Sequence, residues 1–425
     1  MQRMFAIILF GVAFVAPELA VAQTVAPSLD AAIAPVAAER KSYLQEFYHD
    51  LHRHPELAGH EERTSAAIAK ELQSIGWTVT TEVGGHGVVG ILKNGAGPVI
   101  ALRTDMDALP IHEETGLPYA SETKEVMHAC GHDMHMTVMM GTAYALRQLK
   151  DRWHGTVIII AQPAEENGTG AKAMIDAGLF TRFPKPNAAL AFHVGSSLPV
   201  GKLAYRKGYA LANVDFVDIT VYGKGGHGAM PETTIDPIVT ASQIVLALQT
   251  IVSREIAPVD PAVVTVGSIH GGTKHNIIPD EVKLQLTIRN YKDEVREHIK
   301  AAIARITKNV AAAARAPEPK IEYQQGTPAL YNDPALVDRL LPVMRSVVGD
   351  SNVVENPPAM VGEDFSQYGR EGKIPTFMMI LGVQPTGQSS LPAIHSAKFA
   401  PLFDPSITIG ITTMTKAALA LLAGA

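Results

Sequence analysis

One cysteine in 425 residues, Cys130, excludes any internal disulfide framework. A lone thiol is ordinarily a small core residue, so only its neighbours can argue for a task. No basic stripe runs through the chain: 36 Lys and Arg stand against 42 Asp and Glu, a net charge of −6, which argues against a DNA or RNA partner. Charged residues are only 18% against 47% hydrophobic, which excludes a disordered or fibrous chain. No sequence repeat is present, and the length implies two or three domains. The apolar run Met4 to Val15 falls short of the roughly 20 residues a membrane-spanning helix needs. Arg3 precedes it, Pro17 and Glu18 close it, and Ala20-Val21-Ala22 offers a cleavage site before Gln23. Residues 1–22 therefore read as a cleaved signal peptide. The expectation is an exported protein, periplasmic or secreted, without a stable membrane span and with a loose mature terminus over residues 23–35.

From about residue 38, helix-like and strand-like segments alternate, the pattern of a mainly parallel sheet covered by helices. Glu61 to Ile75 has helical apolar spacing and stops at Gly76; Val99 to Leu102 and Thr156 to Ala161 are short apolar runs suited to strands buried on both faces. Between Gly208 and Gln325 the order becomes strand-helix-strand-strand-helix-strand, a split βαβ arrangement. The predicted fold is α/β: a parallel-sheet domain, discontinuous over residues 36–207 plus 326–425, with an inserted two-layer ferredoxin-like (βαββαβ) domain over 208–325.

Five segments supply potential metal ligands or bases, and all but one fall at a predicted strand end, the edge at which open α/β sheets collect ligands, or in a Gly/Pro-marked loop. They are Asp105 and Asp107, the segment Cys130-Gly131-His132-Asp133-Met134-His135, the pair Glu165-Glu166, His193 and His395. Thiolate, imidazole and carboxylate together suit a divalent ion such as zinc, manganese, cobalt or nickel. Of two adjacent carboxylates on irregular backbone, one can bind metal while the other serves as general base; the competing reading is a solvated acidic turn. Asp105 and Asp107 suit the task of orienting a ligating imidazole by its other nitrogen. Asp133 and His135 read either as an N-cap of the helix starting near Met134 or as partners behind the ligands. In the inserted domain His227 sits among glycines, free either to polarise a substrate carbonyl from a neighbouring site or to form a plain hairpin. Asn276 and Arg289 lie in the same domain, and an arginine suits a substrate carboxylate.

Taken in order, His52-Arg53-His54-Pro55-Glu56-Leu57, Asp105 to Pro110, the Cys130 segment, Gln162 to Glu166, Gly225-Gly226-His227, Asn276 to Asp280, Gly362-Glu363-Asp364-Phe365 and His395-Ser396 span nearly the whole mature chain. Together they resemble the co-catalytic metallo-aminoacylase and carboxypeptidase family, in the amidohydrolase branch of hippurate hydrolases, N-acyl-amino-acid amidohydrolases and plant hydrolases of auxin–amino acid conjugates. The resemblance implies two divalent metal ions held by Cys130, His132, Glu166, His193 and His395, with Glu165 as general base. It also implies that the inserted domain is a lid and the site of homodimerisation, with His227, Asn276 and Arg289 reaching substrate, in one reading that of a neighbouring subunit. Other branches carry His-x-Asp where this chain has Asp105-Met106-Asp107, so the ligand set depends on Cys130. Ala397, where the branch often has proline, and His275 before Asn276 predict a different pocket rim.

The activity expected is hydrolysis of the amide joining an acyl group to an amino acid, by a water that the metal activates and Glu165 deprotonates. The metal and His227 would hold the oxyanion and Glu165 would then protonate the leaving amine, while Arg289 and Asn276 meet the substrate carboxylate. Two alternatives stand beside it: a carboxypeptidase or dipeptidase acting on short peptides, and a periplasmic binding protein that captures an amino acid without chemistry.

Overall fold

The computed structural model describes residues 29–387 and 391–423, so the expected signal peptide lies outside the described residues. The expected loose terminus is corrected from Leu29 onward. There the first helix, α1 (Leu29–Arg53), already runs, and Ile33, Leu44, Tyr48 and Leu51 lie on one buried face of it. Burial of that stripe holds a helix through Pro35, which removes only one main-chain donor.

The chain continues through α2 (Glu62–Ser74), β1 (Thr78–Thr80), β2 (Val88–Asn94), β3 (Val99–Asp105), α3 (His132–Gln148), β4 (Gly155–Gln162), α4 (Gly170–Asp176), β5 (Ala188–Pro199) and β6 (Leu203–Tyr205). After residue 207 come β7 (Gly208–Leu211), β8 (Asn213–Tyr222), β9 (Gly226–His227), α5 (Pro237–Thr250), β10 (Ala262–Gly271), β11 (Ile277–Ile278), β12 (Glu281–Asn290), α6 (Asp293–Ala313) and β13 (Lys320–Gln325). The last elements are β14 (Leu330–Asn332), α7 (Pro334–Val348), β15 (Val353–Glu355), α8 (Ser366–Arg370), β16 (Thr376–Gln384) and α9 (Ser406–Leu422).

Eight strands form one sheet in the order β1-β2-β4-β3-β5-β16-β6-β15, and its four central strands are mutually parallel. Successive residues of those strands enter opposite cores. In β4, Val157, Ile159 and Ala161 face the layer of α1, α3 and α9, whereas Ile158 and Ile160 face that of α4 and α8. A sheet covered on both faces has no polar side, which is why these strands read as continuous apolar runs.

The second sheet, β10-β12-β8-β13, is wholly antiparallel. Val217, Ile219 and Val221 of β8 and Val282, Leu284, Leu286 and Ile288 of β12 pack with α5 and α6 into a separate core. The alternate residue Phe216 is exposed on the open face. The ribbon β7–β14 joins the two sheets in sequence.

Candidate metal centre

Strand register brings the chemistry together. Asp105 lies opposite Gln162 across β3 and β4, and Arg103 lies opposite Ala191 across β3 and β5. Asp105–Asp107, the residues after Gln162, and His193 therefore emerge at one carboxyl-terminal edge. Cys130 arrives from the loop before α3. Gly131, at φ 81°, caps that helix, and a Cβ there would meet Val194 Cγ2 at 2.7 Å, so conformation and space both require glycine.

The helix consequently begins at His132 rather than near Met134, and Asp133 is not its N-cap. His132 Nδ1 donates to the Asp107 carbonyl at 2.8 Å, which leaves Nε2 as a lone pair. That Nε2 and Glu166 Oε1 are buried 3.9 Å apart, and neither has a hydrogen-bond partner. His193 Nδ1 donates to the Val194 carbonyl at 2.8 Å and turns Nε2 toward Cys130 Sγ at 3.5 Å. His395 Nε2 lies 3.4 Å from Glu166 Oε2. Ligand atoms of Cys130, His132 and His193 lie within 4.8 Å of one another, and so do those of Cys130, Glu166 and His395. Cys130 belongs to both groups.

Buried polar atoms are almost always satisfied, so the orphaned His132 Nε2 and Glu166 Oε1 mark what a cation would fill. The sulfur, nitrogen and oxygen donors fit divalent transition metals, and Cys130 is the donor common to both groups. Burial holds the Cys130 thiol well above its usual range; coordination would deprotonate it.

His135 is excluded as a ligand although it lies beside this group. Its Nδ1 donates to Asp105 Oδ1 at 2.7 Å, and its Nε2 accepts the Val194 N–H at 2.9 Å, so no lone pair is left. Burial pushes this imidazole down to about 4 and keeps it neutral. Asp105 thus serves His135 and Arg103. Asp107 serves two candidate ligands, through its carbonyl on His132 and its Oδ2 on the Glu166 N–H at 2.8 Å.

Glu165 sits beside this cluster, its carboxylate within 4.8 Å of Glu363 and Asp364. Burial first, then those two carboxylates, raise it well above the usual carboxylate range. A buried arginine, a poor fit to an apolar strand, anchors the acids. Arg103 donates to Gln162 Oε1 at 3.0 Å, Asp105 Oδ2 at 2.6 Å, Glu363 Oε1 at 3.0 Å and Asp364 Oδ1 at 3.0 Å. Arg103→Met would leave three buried carboxylates without their cation, so we expect a loss of about 3–5 kcal/mol of stability, read by urea unfolding.

Behind the site, His52 Nδ1 meets Asp133 Oδ2 at 2.6 Å and His52 Nε2 meets Glu113 Oε1 at 3.3 Å. Burial alone would depress this imidazole. The bonds and charges of Asp133 and Glu113 outweigh it and lift His52 to about 9. A folded value above the unfolded one means stabilisation that is complete below about 6.5 and lost as pH rises through about 9. Thermal melts from pH 6 to 10 should show that decline, roughly 3 kcal/mol in full, and His52→Gln should flatten it. Parallel profiles for the two proteins would contradict the assignment.

The inserted-domain residues are not brought to this cluster within the chain. His227, exposed in β9, accepts the Ala229 N–H at 3.0 Å, and Asn276 is exposed with its carbonyl on the Gly228 N–H at 2.9 Å. Arg289 donates to the Ile288 carbonyl at 2.9 Å and to Thr287, and its guanidinium carbon lies 5.7 Å from the centre of the Phe216 ring. Sequence reasoning also gave no role to Arg103, His52, Glu113 or Glu61. For Arg103 the signal was present, since a cation inside Val99–Asp105 needs buried partners.

A paired cation site at strand ends with a carboxylate beside it is the equipment of a metal-dependent hydrolase of amide bonds. The chain belongs to the peptidase family M20/M25/M40, whose family model matches residues 101–420. It is 38% identical over 366 residues to thermostable carboxypeptidase 1 of Saccharolobus solfataricus, covering 85% of this chain and 91% of that protein. It is 38% identical over 319 residues to the N-acetyl-L-cysteine deacetylase of Bacillus subtilis, covering 75% of each. The solved structure of Bacillus subtilis YXEP, a dinuclear metal binding peptidase from the M20 family, matches with a TM-score of 0.78 at 30% identity, over 91% of this chain and 99% of that one.

Proposed function

We propose that this enzyme hydrolyses the amide bond of N-acyl-amino acids, hippurate-like conjugates among them. The observation that carries the reading is Glu165, raised and partly buried, next to a Cys130-centred set of orphaned donors. Cys130, His132, Glu166, His193 and His395 would hold two divalent ions, zinc, manganese, nickel or cobalt. Such ions polarise a carbonyl oxygen and lower the pKa of water toward neutrality. Glu165 takes the proton of the attacking water and returns it to the leaving amine. Burial and the carboxylates of Glu363 and Asp364 favour proton uptake by Glu165, and the Arg103 guanidinium opposes it. His227, Asn276 and Arg289 would receive the substrate carboxylate and oxyanion from the inserted domain of a second copy in a homodimer, a reading consistent with the exposure of His227 and Asn276 and the half-burial of Arg289 in a single chain. We place the protein outside the cytoplasm on the strength of its first 22 residues. Among the described residues no helix is long and apolar enough to cross a membrane.

The deacetylase likeness supports acyl-amino acids, and the carboxypeptidase likeness keeps short peptides as the second reading. A panel of hippurate-like, N-acetyl-amino acid and dipeptide substrates separates them. Higher kcat/KM on acyl-amino acids is expected; higher values on dipeptides would install the peptidase reading.

A further inference from the structure

Glu61 is fully buried, yet it takes no part in the metal groups and caps no helix with its side chain. Its Oε1 accepts two main-chain N–H groups, that of Gly59 at 3.0 Å and that of Ala164 at 2.7 Å, while Oε2 has no partner. Ala164 stands in the left-handed region at φ 53°, one of six non-glycine residues among the described residues with positive φ. Such a conformation is disfavoured by roughly 1–2 kcal/mol for a residue with a Cβ, and it persists where the surroundings impose it. Here the next two residues are Glu165 and Glu166.

The turn is held from both sides. Gly168 donates to the Glu165 carbonyl at 2.7 Å, and Thr169 and Gly170 donate to the Ala164 carbonyl at 3.2 and 3.1 Å. Upstream, the Ala164 N–H is taken by Glu61 alone. The loop carrying Glu61 is itself fixed: Glu56 accepts the Arg63 N–H at 3.0 Å and the Thr64 N–H at 2.7 Å, and its carbonyl takes the Ala108 N–H at 2.8 Å. One short segment, residues 56–61, therefore touches both the Asp107–Ala108 strand end and the turn that aims Glu165.

We infer that Glu61 is a positioning residue for the reaction, a buried strut whose carboxylate holds Ala164 in its left-handed turn and so aims Glu165. The inference rests on Glu165 being the base. Glu61 never reaches substrate; it acts through one hydrogen bond to a strained peptide.

Two substitutions separate length from chemistry. Glu61→Gln keeps an acceptor oxygen at the same reach, whereas Glu61→Asp keeps the charge but withdraws the oxygen by one methylene. On metal-loaded protein, Glu61→Asp and Glu61→Ala should lower kcat about tenfold or more with KM within about twofold. Glu61→Gln should stay near wild type. Adding Ala164→Gly to Glu61→Asp, which removes the Cβ that makes the turn costly, should restore part of the lost kcat. Amide hydrogen exchange gives the readout independent of turnover: protection at residues 164–166 should fall in Glu61→Asp and hold in Glu61→Gln. Should Glu61→Ala fail to fold, Glu61→Asp alone decides. Unchanged kcat and exchange in Glu61→Asp, or a Glu61→Gln as damaged as Glu61→Asp, would overturn the inference. A Glu165→Gln enzyme with a normal rate would instead overturn the base on which it rests.

Discussion

Glu165→Gln is expected to lower kcat by about 10²–10⁴-fold while the protein keeps its metal and its fold. Glutamine matches the shape of glutamate but cannot accept and return a proton. The change leaves Glu166, the neighbouring candidate ligand, untouched. It also removes one carboxylate from the crowd formed with Glu363 and Asp364, so the variant should melt no lower than wild type. Steady-state kinetics, metal analysis and a thermal melt on the same preparation check the three parts. A near-normal rate removes Glu165 as base.

Cys130→Ala should have an equally large effect by another route. Cys130 is the one residue shared by both candidate ligand groups, so its loss weakens both sites at once. Changes behind a metal site commonly cost 10–100-fold in affinity, and removing a ligand common to two ions should exceed that. The fold should survive, because the side chain is buried and alanine removes a single sulfur, a cost of about 1 kcal/mol. Metal content and hydrolysis should fall together, whereas Glu165→Gln loses only hydrolysis. Unchanged metal content in Cys130→Ala would end the assignment of this thiol as a ligand.

Much of the scaffold was legible because burial writes itself into pattern. The runs at Val99 and Thr156 became central strands covered on both faces, and the alternation of Val214 to Tyr222 became a strand with one face on α5 and α6. The start of α1 was not legible, since an Ala-Pro-rich stretch has no local signal; its helicity depends on Ile33 entering a distant core. Asp133 and His135 were left open for a related reason. Their partners, His52 and Val194, are 81 and 59 residues away in sequence. Glu61 was invisible because its role lies in a main-chain N–H of a left-handed alanine, and no residue type announces that. The inserted-domain residues were legible as chemistry but not as geometry, because nothing within one chain brings them to Cys130.

We propose that the cluster around Cys130 holds two divalent ions and that hydrolysis depends on them. The most direct test is to strip the protein with a chelator and titrate it with a single cation, following bound metal per chain and release of free amino acid from an N-acyl-amino acid together. Negligible hydrolysis without metal, binding that saturates at two ions per chain, and activity that returns as those ions bind are expected. Full hydrolysis by the metal-free protein, or saturation with metal that restores none, would contradict the proposal.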